Sequence, residues 1–151
     1  KELIYTVKNN MEIFLEQKSQ SLDIEILPNM QIYIDRKWLV EAIENIIKNC
    51  IEYSKENSTI KISCTKNPLY SQILIKDSGK GIPSEELPKI FNKFYKGKNS
   101  SSNSFGIGLS LAKSIIESQN GEIIVESKEN EGTTFIVKLY NYTDKKDISI
   151  N

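Results

Sequence analysis

The chain has 151 residues, with 20 Lys and Arg against 20 Asp and Glu, two cysteines and no histidine. That length supports one domain with a sizeable core, and the balanced charge gives no whole-chain attraction to nucleic acid or an anionic membrane. Two cysteines make neither a disulfide framework nor a metal quartet, and no apolar run is long enough to span a bilayer or act as a signal peptide.

The opening stretch sets Leu3, Ile4, Val7, Met11, Phe14 and Leu15 at helical spacing, then turns polar at Gln17-Lys18-Ser19-Gln20-Ser21. Two short strands are predicted next. Ile24 and Ile26 alternate with charges, Pro28-Asn29 breaks the run, and Ile32 and Ile34 alternate again. Asp35 is the expected N-cap of a long helix over 36–54. At 100° per residue, Leu39, Ile43, Ile46, Ile47, Cys50 and Ile51 form one apolar arc, with Glu41, Glu44 and Lys48 opposite. Trp38 is assigned to the core, together with Phe135 and the two cysteines.

Asn45 and Asn49 fall on the border of that arc, one turn apart, and Tyr53 lies a turn further on. Asparagine costs a helix up to about 0.7 kcal/mol relative to alanine, so two on one stripe suggest a task. Their amide oxygens suit Mg²⁺, which keeps several waters and shares its remaining positions with phosphate. Polar border residues that happen to repeat would give the same pattern.

Ile60, Ile62 and Cys64 alternate as a strand, and a turn at Lys66-Asn67-Pro68 leads to another over 72–77. There Ile73, Ile75 and Asp77 share a face, so Asp77 points to the apolar side. A buried carboxylate is costly without partners. An acceptor at the back of an apolar pocket is what reading an adenine amino group requires. Asp77-Ser78-Gly79-Lys80-Gly81 supplies two glycines that let backbone approach a flat base, and Ile82 can cover one face of it. A strand followed by a polar turn has the same letters.

Short helical turns are expected over 84–94, then a polar Ser/Asn/Lys run over 96–104 with the composition of a mobile loop. Lys89, Lys93, Lys96 and Lys98 can face a triphosphate, although a solvated surface suits most of them. Phe91, Phe94 and Tyr95 read as anchors for that loop or simply as core. Gly106-Ile107-Gly108 enters a helix over 105–119, where free N–H groups and the helix dipole favour an anion. Two glycines also suit any tight entry. No strand precedes them directly, and no Gly-Lys-Ser/Thr follows, so neither a Rossmann fingerprint nor a P-loop is present. Asn120-Gly121 ends the helix. Strands over 122–127 and 133–140 follow, joined by a turn at 129–132, and a polar tail closes the chain over 141–151. The expected class is α+β, a two-layer α/β sandwich in which a mixed sheet carries helices on one face.

Asn45 to Ser54, residues 77–81, 90–97 and 106–112, and Gly132-Thr133-Thr134-Phe135 resemble, in order and spacing, the N, G1, F, G2 and closing Gly-Thr elements of the GHKL (Bergerat) ATP-binding fold. The resemblance is closest to the catalytic domain of sensor histidine kinases and covers residues 1–140. Motifs ordered this way in suitable elements are far more specific than any one alone.

The resemblance implies ATP and Mg²⁺ as ligands. Asn49 would bind the metal with Asn45 helping, and Asp77 would bond the adenine amino group with Thr133 supporting through water. Tyr53, Gly79, Gly81 and Ile82 would line the pocket. Gly106, Ile107, Gly108 and Leu109 would offer N–H groups to phosphates, and Lys96, as the basic F-box residue, would reach the terminal one. The chain departs from the family at three places. Glu52 stands where Lys or Arg is common, Ser104 and Phe105 replace a Gly-Thr, and Asn130 replaces a glycine.

ATP-hydrolysing members and the related anti-sigma serine kinases are similar in placing a Glu base four residues before the metal-binding Asn. Here that position is Asn45, which cannot take a proton. The implied enzyme is a protein histidine kinase catalytic domain that binds ATP, hydrolyses it poorly and needs an external histidine as nucleophile. That histidine would sit on a dimerising phosphoacceptor hairpin, and phosphate would pass to a response regulator receiver domain. A GHKL ATPase, an anti-sigma-type serine kinase or a degenerate nucleotide-binding module is the alternative. The chain begins at Lys1 and is expected to be a monomeric, cytoplasmic piece of a longer protein, with a membrane sensor segment upstream.

Overall fold

The structure, a computed structural model, describes residues 1–97 and 106–141. Helix α1 (Glu2–Gln17) buries Ile4, Val7, Met11 and Leu15, the stripe that its sequence spacing predicts. Strand β1 (Ser21–Ile26) follows, then α2 (Arg36–Tyr53). Asp35 caps α2 as expected, its Oδ1 accepting from Lys37 N at 3.1 Å and Trp38 N at 3.4 Å. The whole apolar arc of α2 is buried, with Ala42 added to it.

Strands β2 (Thr59–Lys66), β3 (Tyr70–Asp77), β4 (Gly121–Lys128) and β5 (Gly132–Tyr140) complete a sheet of order β1-β2-β3-β5-β4. The β1/β2 pair is parallel, which requires a crossover, and α2 is that crossover. The other pairs are antiparallel, so the sheet is mixed. A 3₁₀ turn (Leu87–Lys89) and helix α3 (Gly108–Ser118) lie between β3 and β4.

Register puts the buried side chains in line. Ile62 faces Ile75 and Ile75 faces Phe135, while Cys64 faces Ile73 and Ile73 faces Val137. All six are buried, and the helices cover this face, with α1 over β1, α2 over β3 and α3 over β4. The other face carries polar rows such as Lys61, Lys76, Thr134 and Glu126. Burial pushes the Cys64 thiol up to about 11 and the Cys50 thiol well above its ordinary value, so both stay protonated.

Several expectations are corrected. Ile32 and Ile34 do pack against the core, but residues 30–34 form no strand. Alternation reports which side chains turn inward, whereas a strand also needs a neighbour to pair with. Here Gln31 O is taken instead by Lys66 Nζ at 3.1 Å. Trp38 is 51% exposed rather than core, because it stands one residue, hence about 100°, off the buried arc at Leu39. Phe94 is 75% exposed at φ +63°, so it is not core. Helix α3 starts at Gly108, since Gly106 at φ +70° has left-handed backbone that cannot continue a helix. Lys98, the run 98–104 with Ser104, Phe105 and the tail 142–151 lie outside the described residues. No helix among the described residues is long and apolar enough to cross a membrane.

Candidate functional site

The C-terminal turn of α2, the end of β3, the start of β5 and the entry to α3 converge on one cavity of about 240 Å³. Asn49, Tyr53, Asp77, Gly81, Ile82, Leu109 and Thr133 all line it.

Asp77 forms its base. Period-two alternation carries it to the inner face behind Ile73 and Ile75, and it is only 3% exposed. Its Oδ1 accepts from Gly79 N at 2.8 Å and Thr133 N at 3.3 Å. The Cys50 thiol, on the buried arc of α2, is its side-chain partner. Burial raises the Asp77 carboxyl above its ordinary range, and these three donors pull it part of the way back. Thr133 thus supports Asp77 directly through its own N–H.

The loop after Asp77 is held by contacts that exclude side chains. A Cβ on Gly79 would come within 2.4 Å of Tyr53 O, and Gly81 has φ +70° with its Cβ position 2.0 Å from Lys128 O. Ser127 closes the loop from β4. Its hydroxyl donates to Gly132 O at 2.9 Å and accepts from Ile82 N at 2.8 Å and Thr133 Oγ1 at 2.8 Å. One donor and two acceptor sites are all used.

On the α2 side, Tyr53 is pushed up to about 12, by burial first and then by the charges of Glu52 and Glu86. Tyr95 pairs with Glu86 across the mouth. Asn49 lines the cavity, and its side chain makes no hydrogen bond among the described residues. Asn45 lies beside the cavity rather than on its wall. Its Nδ2 donates to Glu41 O at 2.9 Å, which leaves Oδ1 facing the start of α3, 3.1 Å from where a Gly108 Cβ would stand. The glycine is what lets the two helices meet there.

Helix α3 has no side-chain cap. Its first turn bond runs from Leu111 N to Ile107 O at 2.9 Å, so the N–H groups of Gly108 and Leu109 precede the ladder and point out of the helix. Phe94 N donates to Gly106 O at 2.9 Å, tying the preceding segment to this entry. Gly79, Gly106 and exposed Ile107 shape the site without lining the cavity, and exposed Lys96 stands off its wall.

Sequence reasoning did not single out Lys80, Glu86, Gly97 or Ser127. The signal for Ser127 is its register opposite Thr133, two hydroxyls side by side, visible only once the strands are paired. Among the described residues no group of three or more His, Cys, Asp or Glu side chains is placed to hold a metal. The amide oxygens of Asn49 and Asn45 fit a hard cation that draws its remaining oxygens from water and phosphate.

A family profile described as histidine kinase-, DNA gyrase B-, and HSP90-like ATPase matches residues 34–142. Sensor histidine kinase YclK of Bacillus subtilis is 30% identical over 142 residues, 91% of this chain and 30% of that protein. Sensor protein kinase WalK of Staphylococcus aureus is 33% identical over 123 residues, 77% of this chain and 30% of that protein. The chain therefore spans less than a third of either relative. Among solved structures, the catalytic domain of histidine kinase ThkA in a nucleotide-free form superposes with a TM-score of 0.80 at 30% identity, covering 92% of each chain.

Proposed function

The chain belongs to the histidine kinase-, DNA gyrase B- and HSP90-like ATPase family, in the branch of histidine kinase catalytic domains, and from that membership we propose that it holds Mg·ATP and donates the γ-phosphoryl group to a histidine on a separate helical hairpin. The observation that carries this reading is Asp77. It is a buried carboxylate fixed by two backbone donors at the base of a cavity flanked by glycine backbone and Ile82. An acceptor so placed is what distinguishes a 6-amino purine from one bearing a carbonyl.

Tyr53, Gly79, Gly81, Ile82 and Thr133 shape the base site. The phosphates would lie toward the first turn of α3, where the N–H groups of Gly108 and Leu109, with Gly106 and Ile107 at the entry, meet negative charge. Asn49, with Asn45 beside it, would hold Mg²⁺, whose role when bound is to neutralise phosphate charge. Lys96 would reach the terminal phosphate. Asn45 accepts no proton, so the chain's own residues position and neutralise but do not activate a nucleophile. With no histidine in the chain, the acceptor comes from the dimerisation and phosphoacceptor domain, and an aspartate on a response regulator receiver domain takes the phosphate next. The domain would act as a monomeric unit in the cytoplasm.

Asn49→Ala tests the metal assignment. ATP affinity in Mg²⁺ is expected to fall about tenfold or more, a loss of roughly 1.4 kcal/mol, with affinity in excess chelator unchanged. Equal titrations of parent and variant in both conditions would remove Asn49 from the metal site.

A further inference from the structure

The last carbonyls of a helix have no intrahelical donor and need partners from elsewhere. Helix α2 has no basic residue in its last turn, and its cap, Ser54, is extended at φ −88° and ψ 156°. The donors come instead from the corner between α1 and β1. Lys18 Nζ donates to Ile51 O and Glu52 O, both at 2.8 Å, and reaches Ser54 O at 3.5 Å. Gln20 Nε2 donates to Lys55 O at 3.0 Å, Ser54 O at 3.3 Å and Ile51 O at 3.4 Å, from a residue only 7% exposed. The corner is itself fixed, with Ser19 at φ +50° and Asn57 N donating back to Lys18 O at 3.0 Å.

These donors hold the carbonyls on both sides of Tyr53 O and leave that one for another partner. It is the carbonyl against which Gly79 packs, and it accepts from Lys80 N at 3.4 Å. Gly79 N in turn is the nearer backbone donor to Asp77. A continuous set of contacts therefore runs from the Lys18 ammonium through the last turn of α2 to the glycine loop and the Asp77 carboxylate. Lys18 itself stands outside the cavity.

We infer that Lys18 is a positioning residue for the nucleotide site, fixing the adenine end through the Tyr53 carbonyl, an inference that rests on the ATP-binding reading above. Its ammonium sits at the negative end of α2 and neutralises the carbonyl dipoles of the turn that carries Tyr53. A residue that only stabilised the fold would lower the melting temperature and leave the affinity of the folded protein at 10 °C unchanged.

The test is calorimetric titration of ATP and of ADP into the parent, Lys18→Met and Lys18→Arg, each first verified as folded by circular dichroism at 10 °C. The methionine variant is expected to bind both nucleotides about fivefold more weakly, because they share the adenine end, and arginine, which can also donate to several carbonyls, is expected to restore parent affinity. Unchanged binding by Lys18→Met, a loss confined to ATP, or no rescue by arginine would each overturn the inference. Should Lys18→Met not fold, Lys18→Gln, which keeps a shorter neutral donor, is judged by the same equal loss for the two nucleotides. A parent that binds neither nucleotide would sink the ATP-binding reading itself, an outcome distinct from a parent that binds and variants that bind alike.

Discussion

Asp77→Asn is expected to weaken ATP binding by roughly 10- to 100-fold while leaving the fold at least as stable at neutral pH. Asparagine keeps an oxygen for Gly79 N and Thr133 N, the two backbone donors at 2.8 and 3.3 Å. The other carboxylate oxygen becomes an NH₂ group, a donor facing a donor where adenine presents its amino group. A hydrogen bond to a charged group is worth about 1.5–3 kcal/mol, which sets the size of the loss.

Stability moves the other way. Burial raises the Asp77 carboxyl, so over the pH range between its ordinary and its raised value the folded protein keeps a proton that the unfolded chain has released. That contribution is complete below the ordinary carboxylate value and is lost as pH rises through the folded one. Above that raised value the parent carries a buried charge at Asp77 that asparagine lacks. Calorimetry gives the affinity and thermal melts at pH 7 and pH 4 give the stability. Equal ATP affinity in the variant would contradict the role of Asp77, and a variant that melts well below the parent at pH 7 would contradict the account of its burial.

Gly81→Ala is expected to cost about 3 kcal/mol or more of stability, lowering the melting temperature by roughly 10 °C, and to remove ATP binding with it. Two effects add. The backbone is left-handed at φ +70°, which a side chain tolerates at a cost of about 1–2 kcal/mol. The new Cβ would also stand 2.0 Å from Lys128 O and 2.6 Å from its carbonyl carbon. These are backbone atoms of the last residue of β4, so the loop must lift, breaking Asn130 N to Lys80 O and Ile82 N to Ser127 Oγ. Gly97→Ala is the matched control. Among the described residues its Cβ would meet only side chains, Glu86 Oε2 at 3.4 Å and Tyr53 OH at 3.6 Å, so a change within about 0.5 kcal/mol is expected. Comparable melting temperatures for parent and Gly81→Ala would contradict the packing described here.

The parts of this molecule that periodicity governs are legible in its sequence. The arc from Leu39 to Ile51 marks the buried face of α2, and the border position of Asn49 follows from the same 100° step. Alternation likewise carries Asp77 inward behind Ile75. What periodicity does not encode is which backbone group finds which partner. Ile32 and Ile34 alternate like a strand yet pair with no neighbour, and Trp38 looks like core by composition while the helix turns it outward. Ser127 and Lys18 are polar residues next to other polar residues, and their sequence neighbours do not reveal their partners. Their tasks arise from strand register and from the docking of a corner against a helix end 30 residues or more away in sequence.

The family's own motifs lie where these elements end, and the composition adds one constraint that no single element shows. On the proposed reading, a chain with no histidine and with Asn45 four residues before Asn49 would present a phosphoryl group without accepting it or directing it to water. Titration of ATP into this chain with Mg²⁺, with phosphate release followed in the same sample, tests that claim most directly. Saturable one-to-one binding with negligible release is expected. Sustained release at a saturating ATP concentration would contradict it and identify a hydrolase.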